Sequence, residues 1–127
     1  MESPPADLAA LAQQAVALHQ AGQLSEAETL YLRILESDPS HFTARHLLGA
    51  LRHQQGRHGE ALDLITAALG VQPQSAEALS NCGAVLKALG RLEEALASYE
   101  QALARRPDFA AALNGRGCVL SAMDRFE

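Results

Sequence analysis

A step of 34 residues runs through most of this chain and restricts it to a repeat architecture. Pro39, Pro73 and Pro107 stand on that step, as do Gly22, Gly56 and Gly90; Ala27, Ala61 and Ala95; Glu26, Glu60 and Glu94; and Leu35, Leu69 and Leu103. A period of this length marks a supersecondary unit that cannot bury its apolar side alone and has to stack on its neighbours. The unit is clearest over residues 76–107. Ala78, Leu79, Cys82, Gly83, Val85, Leu86 and Leu89 recur at three-and-four spacing, which predicts one broad apolar helix face. Gly90 stops that helix. Ala95, Leu96, Tyr99, Ala102 and Leu103 form the inward face of a second, which starts at Arg91 or Leu92 and ends before Pro107.

The same plan extends in both directions. Asp7 is placed to cap a first helix reaching about Ala21, and Ser25, with Glu28 as capping-box partner, is expected to open a second helix running to about Glu36. The next pair is expected over 41–55 and 59–71, and a further first helix begins at Phe109. Asp124, Arg125, Phe126 and Glu127 then occupy the place of Gly90, Arg91, Leu92 and Glu93 one repeat earlier. The expected organisation is a loose, disordered lead over 1–6 and an all-α repeat domain over 7–127, with repeats near 8–41, 42–75 and 76–109 and a partial one over 110–127. Leu113, Val119, Leu120, Met123 and Phe126 leave the last helix apolar, whereas arrays usually close with a polar outer face. This ending predicts either an N-terminal piece of a longer protein or a homodimer formed through the uncapped C-terminal helix, ahead of a capped monomer.

These residues resemble the tetratricopeptide repeat. The matching positions are Leu48-Gly49 and Cys82-Gly83 on first helices, then Ala27, Ala61 and Ala95, Tyr31 and Tyr99, and the three prolines on second helices. The chain departs from the pattern in lacking tryptophan, in having Arg45 at a large apolar position, and in having Ile65 for the aromatic. The resemblance implies a right-handed α-solenoid whose first helices line a concave wall that holds a partner peptide. Carried over by the 34-residue step, it implies an inner stripe of His19, His53 and Lys87, continued by Ser121. A parallel stripe holds Ala12, His46, Ser80 and Asn114, flanked by Gln13, Leu47 and Asn81. The peptide-binding residues expected are therefore His19, His46, His53, Ser80, Asn81, Lys87 and Asn114.

Two subclasses bear on the partner. In the one that grips a chaperone's C-terminal carboxylate, the clamp positions correspond here to Ala12, Val16, Leu47, Glu77 and Asn81, and none keeps the required residue. The repeats are more similar to those of O-linked N-acetylglucosamine transferase and its bacterial relatives, where an inner-wall asparagine recurs and bonds bound polypeptide. Asn81 matches it; Gln13, Leu47 and Gly115 do not. The expected function is thus a scaffold or adaptor module that binds a protein segment. The alternative is the substrate-presenting arm of a larger glycosyltransferase.

Other chemistries find little support. A net charge of −5 opposes the basic stripe that nucleic acid requires. No stretch approaches the roughly 18 to 20 apolar residues that cross a bilayer, and the N-terminus lacks the basic start and apolar run of a secretion signal. Cys82 and Cys118 form no Cys-x-x-Cys pair, so neither a disulfide framework nor zinc is expected, and a reducing cytoplasmic setting follows. Cys82 reads as core and Cys118 as reaching the groove. His46 and His53 stand two helical turns apart, about 10.5 Å, too far to share an ion; His41 and His58 are expected to face solvent. Gly115-Arg116-Gly117 lacks the strand and Lys-Ser/Thr tail of a phosphate loop. It is read instead with Ala15, Gly49, Gly83 and Gly117, small residues facing Ala27, Ala61 and Ala95 where helices approach. Glu26, Glu60 and Glu94 serve the helix dipole rather than acid-base chemistry. No catalytic residue, cofactor or metal is expected.

Overall fold

The computed structural model describes residues 7–124. They form seven α-helices and no strand: α1 (Leu8–Gln20), α2 (Leu24–Ser37), α3 (Phe42–Gln54), α4 (His58–Val71), α5 (Ala76–Ala88), α6 (Leu92–Arg105) and α7 (Ala110–Asp124). The boundaries fall within about a residue of those read from the sequence. The expected lead over 1–6, and Phe126 as part of an apolar end, lie outside the described residues.

Each first-to-second helix turn is set by one glycine. Gly22, Gly56 and Gly90 have φ of 81°, 79° and 78°, the left-handed conformation that a side chain disfavours. Their N–H groups donate to His19, His53 and Lys87 carbonyls, and the next residues, Gln23, Arg57 and Arg91, donate to Leu18, Arg52 and Leu86. This paired closure satisfies carbonyls that the helix end would otherwise leave free. It also leads the chain directly into the next helix. The expected cap at Ser25 is therefore corrected: α2 already begins at Leu24, behind Gln23, which makes no side-chain cap bond. Glu28 bonds across to Arg52 instead, at 2.7 Å. Side-chain caps serve the first helices, where Asp7, His41 and Ser75 accept from Ala10, Ala44 and Ala78.

Packing follows the repeat. Ala15, Ala27, Ala44, Ala61, Ala78, Ala95 and Ala112 are all fully buried, so helix backbones approach closely around Tyr31, Ile65 and Tyr99. A methyl added at Gly49 would stand 2.5 Å from Ile65 Cγ1, and one at Gly83 would stand 2.9 Å from the Tyr99 ring. Gly117 does not continue this row into contact: nothing lies within 4 Å of its missing Cβ, because no second helix follows α7 among the described residues. Gly115 packs instead, its missing methyl overlapping the Tyr99 ring of the preceding repeat. Leu89, expected on the apolar face of α5, caps that helix and is 39% exposed.

Candidate functional site

The two sets of helices play different parts. The backbones of α1 and α3, α3 and α5, and α5 and α7 approach one another, whereas among the described residues those of α2 and α4, and of α4 and α6, do not. The odd-numbered helices therefore form a continuous inner row, and the even-numbered ones splay on the outside. Curvature of this kind creates a groove along the odd-numbered helices.

Three of the expected residues meet there. His53 of α3, Lys87 of α5 and Asn114 of α7 line one open pocket of about 370 Å³, with Tyr99, Gly115 and Cys118 completing it. An adjoining pocket of about 540 Å³ again has Lys87, Asn114 and Cys118, and adds Ser121. Lys87 and Asn114 are exposed, and Lys87 has no ion-pair partner among the described residues. An ammonium and an amide are thus available to bind a partner's carbonyls or carboxylates, with the half-buried His53 imidazole beside them. At the opposite end, Ala9, Ala12, Gln13, Val16, Ala17 and Gln20 of α1, with His41 and Thr43, line another open pocket of about 470 Å³.

The other expected residues are engaged within the fold. His19 Nδ1 lies 3.0 Å from the Tyr31 hydroxyl, and its Nε2–H donates to Gln54 Oε1 at 2.5 Å, tying α1 to α2 and α3. His46 is only 4% exposed and Ser80 5%, so neither stands open on the wall. They lie, with Ala12, on the row that runs along the seam between successive first helices. Asn114 continues that row on α7, which no further first helix covers among the described residues. Asn81 is half-buried and its Nδ2 donates to His46 Nε2 at 2.6 Å. Burial pushes the His46 imidazole below the ordinary histidine range, against an opposing pull from the Glu77 carboxylate.

Several interactions were not read from the sequence. His58, expected to face solvent, is half-buried, and its Nδ1 lies 3.0 Å from His53 Nδ1. Burial first, and the neighbouring His58 second, lower the His53 pKa. Arg52, only 9% exposed, joins Glu28 at 2.7 Å and Glu60 at 3.5 Å, linking α2, α3 and α4. Tyr31 is enclosed so completely that its hydroxyl is pushed up to about 12. Cys82 is buried and Cys118 exposed, as expected. No group of three or more histidine, cysteine or acidic side chains gathers among the described residues, and no helix there is long and apolar enough to cross a membrane.

Comparison with known proteins agrees with this geometry. Two tetratricopeptide repeat profiles match residues 40–108 and 8–51. No curated protein matches the sequence. Among solved structures, a mutant O-GlcNAc transferase of Thermobaculum terrenum is 32% identical over 94% of this chain, with a TM-score of 0.89. The chain spans 23% of that protein's length. The first tetratricopeptide domain of Spaghetti, bound to an HSP90 peptide, is 22% identical with a TM-score of 0.85, covering 92% of this chain and 93% of its own. The Sgt2 domain of Aspergillus fumigatus is 19% identical with a TM-score of 0.85, covering 96% and 82%. The last two likenesses concern the fold. With a repeat profile over more than half its residues and helix pairs stacked at the repeat step, the chain belongs to the tetratricopeptide repeat family.

Proposed function

We propose that this protein acts as a binding module, not a catalyst, holding an extended protein or peptide segment along its inner groove. The observation that carries the reading is the convergence of His53, Lys87 and Asn114, from three different helices, on one open pocket. Their donors suit the carbonyls and acidic side chains of an extended chain. The apolar pocket on α1 supplies a second foothold, for an aliphatic side chain. A cytoplasmic setting belongs to the same proposal and is supported by two free thiols. The test is selection of displayed peptides on the folded protein, followed by binding to a Lys87→Ala/Asn114→Ala variant. Selected peptides should lose at least tenfold in affinity, and peptides that bind both proteins equally would reject the groove.

A second reading is favoured by one observation, the 32% identity to the repeat region of a bacterial O-GlcNAc transferase. On this reading residues 7–127 present substrates to a glycosyltransferase domain, with Asn81 as the match to that family's inner-wall asparagine. Sequencing the reading frame past Glu127 tests it; an immediate stop codon excludes it. Self-association through α7 is a separate proposal, supported by the exposed Leu113 and Leu120. Sedimentation velocity at rising concentration should show a dimer, and a monomer throughout rejects it.

A further inference from the structure

The second repeat carries a histidine at both ends of its glycine turn. His53 lies in the last turn of α3 and His58 opens α4, where the first repeat has His19 and Leu24 and the third has Lys87 and Leu92. Gly56 reverses the chain between them. The two rings are brought together with centroids 4.9 Å apart, planes inclined at 56°, and Nδ1 atoms 3.0 Å apart. Both side chains are half-buried, and neither makes a hydrogen bond to any other side chain among the described residues.

We infer that His53 and His58 form a two-histidine chelate for a divalent transition-metal ion, Cu(II) or Ni(II), at the rim of the groove. Metal–imidazole bonds are about 2.0 to 2.1 Å. Spanning 3.0 Å with two such bonds sets a bite angle of roughly 90 to 100°, whereas a tetrahedral zinc site would hold the nitrogens about 3.3 to 3.4 Å apart. The spacing therefore suits a square-planar or tetragonal ion, and the Irving–Williams order makes Cu(II) the tighter of the two. One Nδ1 of the pair carries the proton of the N–H···N contact, so ligation moves that proton to the same ring's Nε2 and turns both Nδ1 lone pairs from each other to a common point. Ligation requires neutral imidazole, and burial already favours that form of His53.

The remaining histidines are otherwise engaged: His19 with Tyr31 and Gln54, His41 in capping α3, and His46 with Asn81. With no third protein ligand gathered at the pair, water or a donor from a molecule in the adjoining pocket fills the open positions. Lys87 lines that pocket with His53, and its positive charge keeps the affinity modest.

Copper(II) chloride is titrated into the full chain at pH 7.5 with glycine as a competing chelator, followed by calorimetry and electron paramagnetic resonance. One ion per chain is expected, with hyperfine structure from two imidazole nitrogens. His53→Gln and His58→Gln should each weaken binding at least tenfold. His41→Ser should leave it unchanged, because Ser75 caps the equivalent helix of the next repeat. Nickel(II) should show the same ranking at lower affinity. Circular dichroism checks each variant's helicity, and His58 opens its helix, where glutamine is readily accommodated. Absence of saturable binding, or binding that survives either glutamine substitution, overturns the inference and leaves the pair as a simple N–H···N hydrogen bond.

Discussion

Asn81 donates its side-chain N–H to His46 Nε2 at 2.6 Å, joining α5 to α3 across the boundary between the second and third repeats. A ring nitrogen that accepts is a ring nitrogen without a proton, so the bond requires a neutral imidazole in a buried position. Replacing Asn81 by Ala leaves His46 buried and unpaired there, at an expected cost of about 1 to 3 kcal/mol. The double variant His46→Leu/Asn81→Leu should recover part of that loss, since no polar group is then stranded. Urea unfolding of the three proteins checks both outcomes. A silent Asn81→Ala would show that the bond contributes nothing.

The same neutrality predicts acid sensitivity. His46 and His53 both have folded-state pKa values below the ordinary 6.5, chiefly through burial, with Glu77 opposing the shift at His46 and His58 adding to it at His53. As pH falls through 6.5 the unfolded chain takes up protons first, so stability is full above that value and declines below it until the folded-state values are passed. The urea midpoint should therefore drop between pH 7.5 and 5.5, and His46→Gln should flatten part of the drop. Glu28 adds a separate decline lower on the scale, because its bond to Arg52 holds its carboxyl below the usual 4.5. A midpoint constant from pH 7.5 to 5.5 would contradict the histidine assignment.

Gly83 and Gly117 occupy equivalent places in successive repeats but should respond oppositely to the same substitution. Alanine at Gly83 would press on the Tyr99 ring, 2.9 Å away, and is expected to destabilise by about 1 to 3 kcal/mol. Alanine at Gly117 meets nothing within 4 Å, and the helix should gain up to about 1 kcal/mol from its better propensity. Thermal melts of the two variants distinguish them by the sign of the change.

The two thiols should separate kinetically. Cys82 is buried, and that burial pushes its pKa up; Cys118 is exposed beside Lys87 and Asn114. Under native conditions a disulfide reagent should modify one thiol per chain promptly, the one at Cys118, and reach Cys82 only with denaturant. Equal rates would mean that α5 is not packed as described.

Periodicity explains what could be read in advance and what could not. Pro39, Pro73 and Pro107, and the three turn glycines, repeat because each repeat needs the same stop and the same reversal, so helix number and boundaries were visible in one sequence. The same step places His53, Lys87 and Asn114 on successive first helices, where they line one pocket. Some departures concern pairs that do not repeat. Arg52 with Glu28, His19 with Gln54, and His53 with His58 are pairings that form at one place in the array, and nothing in their spacing marks them. His46 and Ser80 were misplaced because a first helix has two neighbouring rows near the groove, and the row on the seam is covered by the next first helix. Gly115 is hidden for a related reason: each second helix packs on two first helices, and the repeating row of small residues marks only the contact within its own repeat.

The Tyr99 ring sits between Gly83, in its own repeat, and Gly115, in the next. One aromatic side chain thus serves as a peg through two adjoining plates, so the third repeat cannot loosen without releasing the helix that follows it. Amide protons in the middle of α5 and α7 should accordingly exchange with deuterium on a common timescale, and a single replacement of Tyr99 by alanine should uncouple them.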